Sequence, residues 1–101
     1  MKYNKLVRDK IPEIMADNGA RATFRVLDEK EVLTYLEKKL DEEVREFHES
    51  KSLEELADIF EVLKELVAVC GASSSAFMQI CKQKNEKRGG FSKRICLIEK
   101  E

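Results

Sequence analysis

Two long segments of the chain repeat apolar residues at helical spacing. Apolar side chains recur three or four residues apart between residues 33 and 47, and again between residues 56 and 70. This period predicts two amphipathic helices, each with one apolar stripe. The stripes are Leu33, Leu36, Leu40, Val44 and Phe47 in the first helix, and Leu56, Phe60, Leu63, Val67 and Cys70 in the second.

Each predicted helix starts at a capping-box pattern. Asp28 with Glu31 precedes the first stripe, and Ser52 with Glu55 precedes the second. In such a box, the first side chain and the acid three residues later each accept a hydrogen bond from the other's backbone N–H. Only the short polar segment 49–52 separates the two helices. The pattern therefore predicts an antiparallel helix hairpin.

Acidic residues lie at equal distances on either side of that turn. Glu46 is level with Glu55, and Glu43 is level with Asp58. Within each helix the two carboxylates are three residues apart, so they share one face with Cβ atoms about 5–6 Å apart. We therefore expect four carboxylates to converge, with Glu42 beside them.

Converging carboxylates repel one another unless a cation lies among them. Oxygen ligands suit a hard divalent ion, and Mg²⁺ is the simplest candidate. The alternative is that these residues are solvated helix faces in a chain of which 39% of the residues are charged. The mirrored pairs favour the metal site, because chance seldom produces them.

Shorter elements are predicted on both sides of the acidic stretch. Pro12 suits the first turn of a short helix that begins at Ile11 and ends at Asn18-Gly19. Residues 22–27 and 94–98 are rich in β-formers, and we expect them to pair as a small two-stranded β ribbon. Such a ribbon must pack against the helices, because two strands alone are only marginally stable.

A third core helix is predicted after Gly71. The run 73–75 offers serine N-caps, and the helix ends in the basic segment 82–88 before Gly89-Gly90. Its apolar face is predicted to contain Ala76, Phe77, Ile80 and Cys81.

Basic residues gather at both ends of the chain. Residues 1–10 are predicted to form an opening arm. Its Lys5 and Arg8 serve either as phosphate contacts or simply as solubilising charges. Segment 82–88 is either an anion clamp or a basic helix end favoured by the helix dipole. The candidate contacts with substrate in this segment are Lys84, Asn85, Lys87 and Arg88.

Composition narrows the class of protein. A chain of 101 residues with a net charge of −1 predicts a single domain over residues 1–101 and argues against a protein that coats nucleic acid. No membrane-length apolar run or signal-peptide pattern is visible, so we expect a cytoplasmic protein without a membrane partner.

The three cysteines lack metal-ligand spacing, and we expect Cys70 and Cys81 to be buried free thiols. The thin core predicts self-association.

The acidic pattern resembles the metal-binding signature of the MazG-like superfamily of all-α NTP pyrophosphatases. The residues are Glu-Glu-x-x-Glu at 42–46 and Glu-x-x-Asp at 55–58. Segments 5–12 and 87–91 further resemble a small phosphoribosyl-ATP pyrophosphohydrolase-like branch of that superfamily. The chain departs from many relatives in the short spacer 47–54 between the acidic motifs, which leaves base specificity open.

The resemblance implies an all-α helical bundle, built on the hairpin and completed by a homodimer or homotetramer. It implies Mg²⁺-dependent hydrolysis of a nucleoside triphosphate between the α and β phosphates, in a house-cleaning or nucleotide-pool role. Glu42 would position or deprotonate the attacking water, and the segment after the third core helix would contact substrate at Asn85, Lys87 and Arg88. The implied metal ligands are Glu43, Glu46, Glu55 and Asp58.

Two other functions remain open from the sequence. Phosphoribosyl-ATP hydrolysis in histidine biosynthesis would need the same metal centre. A non-catalytic helical interaction module would fit the high surface charge and the thin core, and it predicts no stabilisation by Mg²⁺.

Overall fold

The structure is a computed structural model that describes residues 2–101, which form four α-helices. These are α1 (Ile11–Asp17), α2 (Val32–Ser50), α3 (Leu53–Val69) and α4 (Ser74–Arg88). Helix α3 packs against both α2 and α4. The all-α class predicted from the sequence is therefore confirmed.

Both predicted capping boxes make side-chain hydrogen bonds, but only Ser52 caps its helix directly, since the Asp28–Glu31 box closes the turn that leads into α2. Asp28 Oδ1 accepts the N–H of Glu31 at 3.0 Å, and Glu31 Oε1 accepts the N–H of Asp28 at 3.1 Å. Ser52 Oγ accepts the N–H of Glu55 at 3.2 Å. The N–H of Ser52 bonds to Ser50 Oγ instead of to Glu55. The second box is therefore only half formed, which leaves the Glu55 carboxylate available elsewhere.

A glycine and a serine define the junction between α3 and α4. Gly71 has a φ of +89°, and the N–H of Ala72 donates to the carbonyl of Val67 at 3.1 Å. This is a Schellman-type ending, which favours glycine because the left-handed region costs other residues free energy. Ser73 Oγ then accepts the N–H of Ala76 at 3.1 Å and starts α4.

Helix α3 has two apolar faces, so the prediction of a single stripe is wrong for this helix. Val62 is buried, and Ile59 and Leu66 are half-buried on the same face. The predicted stripe lies one residue away, a rotation of about 100°. It is largely uncovered, with exposures of 43% for Leu56, 62% for Phe60 and 39% for Leu63.

The core of the single chain is thin. Leu36 and Val62 are the only buried hydrophobic residues among residues 2–101. The accessible surface is 9500 Å², whereas a compact protein of 11.7 kDa exposes about 5,900 Å². The radius of gyration is 17.8 Å, against about 13 Å for a compact domain of this length. Much apolar surface therefore remains without a partner.

The predicted β ribbon does not form: residues 2–101 contain no strand. Its two segments project apolar side chains into solvent, with exposures of 95% for Val26, 85% for Ile95 and 88% for Ile98. No helix covers these residues, and two strands without support are only marginally stable.

The prediction of buried thiols is also wrong. Cys70 and Cys96 are exposed and Cys81 is half-buried, and all three are free. The predicted stripes that carry Cys70 and Cys81 belong to the uncovered surface.

Within residues 2–101, no helix is both long and apolar enough to span a membrane.

A bidentate ion pair fixes the approach to α2. Arg25 Nη1 and Nη2 donate to the two carboxylate oxygens of Glu31 at 2.6 and 3.1 Å. The hydrogen bond from Arg25, together with that from the N–H of Asp28, lowers the pKa of Glu31 to about 2. An acid whose pKa is lower in the folded state stabilises the fold above its unfolded pKa, and this contribution is lost as the pH falls through the folded value.

We expect Glu31→Gln to lower the melting temperature near neutral pH. Gln can still accept the capping bond but loses the charge. The difference from wild type should shrink as the pH falls from about 4.5 towards about 2. Circular dichroism melts over this range provide the measurement, and Glu29→Gln is the control, since Glu29 makes no ion pair within residues 2–101. A difference independent of pH would contradict the ion pair as the cause.

Candidate metal centre

The contact between α2 and α3 carries five acidic residues. The i,i+3 spacing places Glu43 and Glu46 on one face of α2, and Glu55 and Asp58 on one face of α3. The Ser52 cap sets where α3 begins and hence which of its residues face α2. We call this set, Glu42, Glu43, Glu46, Glu55 and Asp58, the acid cluster.

The acid cluster consists of two groups that share Glu43. One oxygen from each of Glu42, Glu43 and Glu46 lies within 4.8 Å of the others. The same holds for Glu43, Glu55 and Asp58. Opposite oxygens in an octahedral Mg²⁺ site are about 4.2 Å apart. The carboxylates therefore lie together, as the mirrored positions predict, at a spacing that could hold a metal ion.

Glu43 supplies the strongest indication that a cation belongs here. Its side chain is buried, with 5% of the residue exposed, and its Oε2 atom has no hydrogen-bond partner in the part of the chain described. Glu55 Oε2 is also buried without a partner there. Burying a carboxylate oxygen without a donor is costly. A hard divalent ion bound by these two oxygens would remove this cost.

The crowding changes the acidity of two members of the cluster. Burial, the close approach of the Glu43 carboxylate, and the charges of Glu46, Glu43 and Asp58 raise the pKa of Glu55 to about 7. The close approach and the charge of Glu43 also raise the pKa of Glu46. Glu46 and Glu55 therefore lose their protons less readily than exposed acids do.

Lys39 is a candidate site residue that the sequence motifs did not indicate. Its Nζ atom lies 3.3 Å from Glu42 Oε2 and 3.1 Å from Glu43 Oε1, and the side chain is 17% exposed. Burial opposes the charge of Lys39, but its hydrogen bonds and charge interactions with Glu43 and Glu42 raise its pKa overall. Its spacing, three residues before Glu42 and four before Glu43, was the signal that could have found it.

The opening arm also reaches the acid cluster. Lys5 Nζ lies 3.2 Å from Glu42 Oε1, and Arg8 Nη2 lies 2.7 Å from Asp58 Oδ1. The arm thus contacts one acid on α2 and one on α3. Burial works against ionisation of Glu42, but Lys5 and Lys39 lower its pKa overall. While both contacts hold, Glu42 is a weak base.

The basic end of α4 lies apart from this site. Helix α4 packs against α3 and not against α2 within residues 2–101. The candidate substrate contacts on α4 make no side-chain hydrogen bond or ion pair with the acid cluster in the same part of the chain. These residues are Lys84, Asn85, Lys87 and Arg88. A single chain therefore brings together the acids and the arm, but not the α4 cations.

Comparisons of the chain with protein-family models, curated proteins and solved structures give no match.

We expect Glu43→Gln to raise the melting temperature of the metal-free protein, because it removes a charge from a buried acid cluster. The same variant should lose the stabilisation by divalent ions. In wild type that stabilisation should reach about 2.7 kcal/mol at a hundredfold excess of ion over the dissociation constant. Thermal melts with chelator and with increasing Mg²⁺ or Mn²⁺ provide the measurement.

The matched control for this test is Glu37→Gln, an exposed acid on the same helix with no ion pair within residues 2–101. Glu37→Gln should keep the stabilisation by metal ions. If wild type and Glu43→Gln respond equally to the ions, the acid cluster is not the binding site.

Proposed function

We propose that the chain is a Mg²⁺-dependent nucleoside triphosphate pyrophosphohydrolase. Water would attack the α-phosphorus, the bond to the α–β bridging oxygen would break, and pyrophosphate would leave beside a nucleoside monophosphate. The observation that carries the proposal is Glu43 Oε2, which is buried without a hydrogen-bond partner among residues 2–101, in an acid cluster bordered by cations. The resemblance to the MazG-like pyrophosphatases supports the same reaction, in a house-cleaning or nucleotide-pool role.

The roles of the residues follow from their chemistry. Mg²⁺, when bound, would neutralise phosphate charge and lower the pKa of water. Glu46 and Glu55 would hold it together with Glu43 and Asp58. The arm cations Lys5 and Arg8 would exchange their carboxylate partners for phosphate oxygens, which accept strong charge-assisted hydrogen bonds from both side chains.

Glu42 is proposed to position the water. Its contacts with Lys5 and Lys39 hold its carboxylate in one place. If Lys5 moves to a phosphate, Glu42 loses a partner that lowers its pKa and becomes a better acceptor for a proton from water. The arm would thus couple substrate binding to activation of Glu42.

We expect the purified protein to release pyrophosphate from at least one nucleoside triphosphate in the presence of Mg²⁺. Glu43→Gln and Asp58→Asn should each lower the rate more than about 100-fold, because even loss of a residue that supports a ligand costs about 10–100-fold. Glu37→Gln and Asp41→Asn, two exposed acids on α2, are the controls and should retain the rate.

The substrates for this assay should include ordinary and modified nucleoside triphosphates and phosphoribosyl-ATP. Turnover of phosphoribosyl-ATP alone would assign the chain to that narrower reaction. Wild-type rates in both site variants would contradict the assignment of the metal ligands.

The proposed enzyme is a homodimer or homotetramer in which antiparallel hairpins of α2 and α3 form the bundle. The excess of accessible surface over a compact protein is about 3,600 Å². A standard interface buries about 800 Å² on each partner, which is far less than this excess. The uncovered face of α3 continues on α4, where Phe77 is 37% and Met78 60% exposed, with a groove of about 450 Å³ between the helices. A helix with apolar residues on two faces is typical of a larger assembly.

A second copy would also complete the site. Because the cations of α4 do not reach the acid cluster of their own chain, they would serve the acid cluster of a neighbour. Helix α4 extends about 15 Å from Met78, which lines the groove, to Arg88. That length suits a helix that crosses an interface.

We expect two inactive variants to restore activity to each other. Glu43→Gln alone and the double variant Lys87→Met/Arg88→Met alone should both be inactive. Co-expressed in equal amounts, they should recover about a quarter of the wild-type rate, since half of the dimers are mixed and one of the two sites in each is intact. Steady-state rates and light scattering of the purified mixture provide the measurements.

Substrate contacts within one chain would give a different result. The mixed dimers would then have no intact site, and the mixture would show only the sum of the parent rates. A monomer by light scattering would contradict the assembly itself.

A further inference from the structure

A cleft of about 350 Å³ lies between the opening arm and the N-terminal half of α2. The side chains that give it chemical character are Tyr3, Lys5, Tyr35, Lys38, Lys39 and Glu42. Its volume is at the lower end of the range for small-molecule sites.

The cleft is continuous with the acid cluster. Glu42 lines the cleft and also belongs to the group of Glu42, Glu43 and Glu46. Lys39 lines the cleft while its Nζ atom contacts Glu42 and Glu43. A ligand in the cleft would therefore touch the edge of the metal centre.

The charges of the cleft favour an anion. Three lysines face a single carboxylate, that of Glu42, which is shared by Lys5 and Lys39. Lys38 has no carboxylate within ion-pair distance among residues 2–101. Its Nζ atom instead lies 5.5 Å from the centre of the Tyr35 ring. This ammonium group is free to bind a phosphate without breaking an ion pair.

Tyr35 offers an aromatic surface in a fixed place. Its ring is half-buried, and Arg25 Cζ lies 6.0 Å from its centre. The two bonds between Arg25 and Glu31 hold that guanidinium in position. Bases stack on tyrosine rings with little dependence on their identity.

The order of these groups along α2 matches the order of groups in a metal-bound nucleotide. The backbone positions of Lys38 and Lys39 lie about one helical turn, about 5.4 Å, beyond that of Tyr35. A further turn leads to the acids Glu42 and Glu43. A base, its phosphates and a metal ion follow one another in the same way.

We infer that the cleft between the arm and α2 is a nucleoside polyphosphate subsite, in which Lys38 and Lys39 bind phosphate oxygens and the Tyr35 ring stacks against the base. This deepens the proposed function and rests on it for the nature of the ligand. It adds three residues to those implied by the sequence motifs. It also gives the arm a second role, since Tyr3 and Lys5 close the cleft.

Equilibrium binding of two probes tests this subsite. The probes are the α,β-methylene analogues of the four common ribonucleoside triphosphates and inorganic tripolyphosphate, each measured by calorimetry with chelator and with Mg²⁺. Lys38→Met should weaken both kinds of probe about tenfold. Tyr35→Leu, which keeps an apolar side chain but removes the ring, should weaken only the nucleotide analogues, also about tenfold. Tyr35→Phe should bind like wild type.

Lys64→Met is the matched control, because Lys64 is an exposed lysine on α3 outside the cleft. Unchanged affinities in both Lys38→Met and Tyr35→Leu would overturn the subsite, as would the absence of binding by either probe. Equal weakening of both probes by Tyr35→Leu would overturn the stacking assignment. Melting curves of every variant check that the fold is retained.

Turnover separates failure of the subsite from failure of the proposed reaction. Loss of turnover in Glu43→Gln with a wild-type KM in Lys38→Met and Tyr35→Leu would overturn the subsite and leave the reaction standing. Absence of pyrophosphate release from every substrate, with the expected pattern of binding, would overturn the reaction and leave the subsite standing.

Discussion

The contact between α2 and α3 must accommodate carboxylates that repel one another. Glu43 is buried at this contact with one oxygen unpartnered in the described chain, and acids from both helices surround it. Such an arrangement destabilises the metal-free fold unless protons or cations offset the charge. Lys39 offsets part of it from within α2, and the arm adds Lys5 and Arg8. The remaining charge is what a divalent cation would neutralise.

The arm and the helix pair depend on each other through these ion pairs. Residues 2–10 of the arm contain no helix, and Lys5 and Arg8 bond to Glu42 and Asp58, one on each long helix. A cation or a phosphate that enters the site competes for the same partners. The position of the arm and the state of the site are therefore linked, and the candidate metal ligands, the proposed phosphate contacts and one wall of the cleft lie close together.

The sequence was sufficient for the parts of this structure that local chemistry determines. Ser52 and Ser73 cap helices where the pattern predicts them, and Gly71 ends α3. The mirrored acids meet because helix spacing and a short connection determine their positions. Tertiary choices were not visible in the same way. Apolar residues recur at helical spacing on both faces of α3. Because acids also lie on the inner face, Ile59, Val62 and Leu66 do not form a purely apolar stripe in the sequence.

The other errors share one physical origin. Residues 22–27 and 94–98 have strand-forming composition, and Cys70 has the spacing of a core residue, yet residues 2–101 bury none of them fully. An apolar pattern indicates a surface that becomes buried, but it does not indicate whether the same chain or a partner covers that surface. Lys39 was missed for a different reason, since a lysine beside acids on a helix resembles an ordinary surface pair.

The central claim is that a divalent cation belongs between the acids of α2 and α3. Anomalous diffraction from crystals grown with Mn²⁺ would test it most directly. The account predicts a peak about 2.1–2.3 Å from carboxylate oxygens that include Glu43 Oε2, with ligands from both helices. An ordered acid cluster without such a peak, with Lys39 still bridging Glu42 and Glu43 at saturating Mn²⁺, would contradict it.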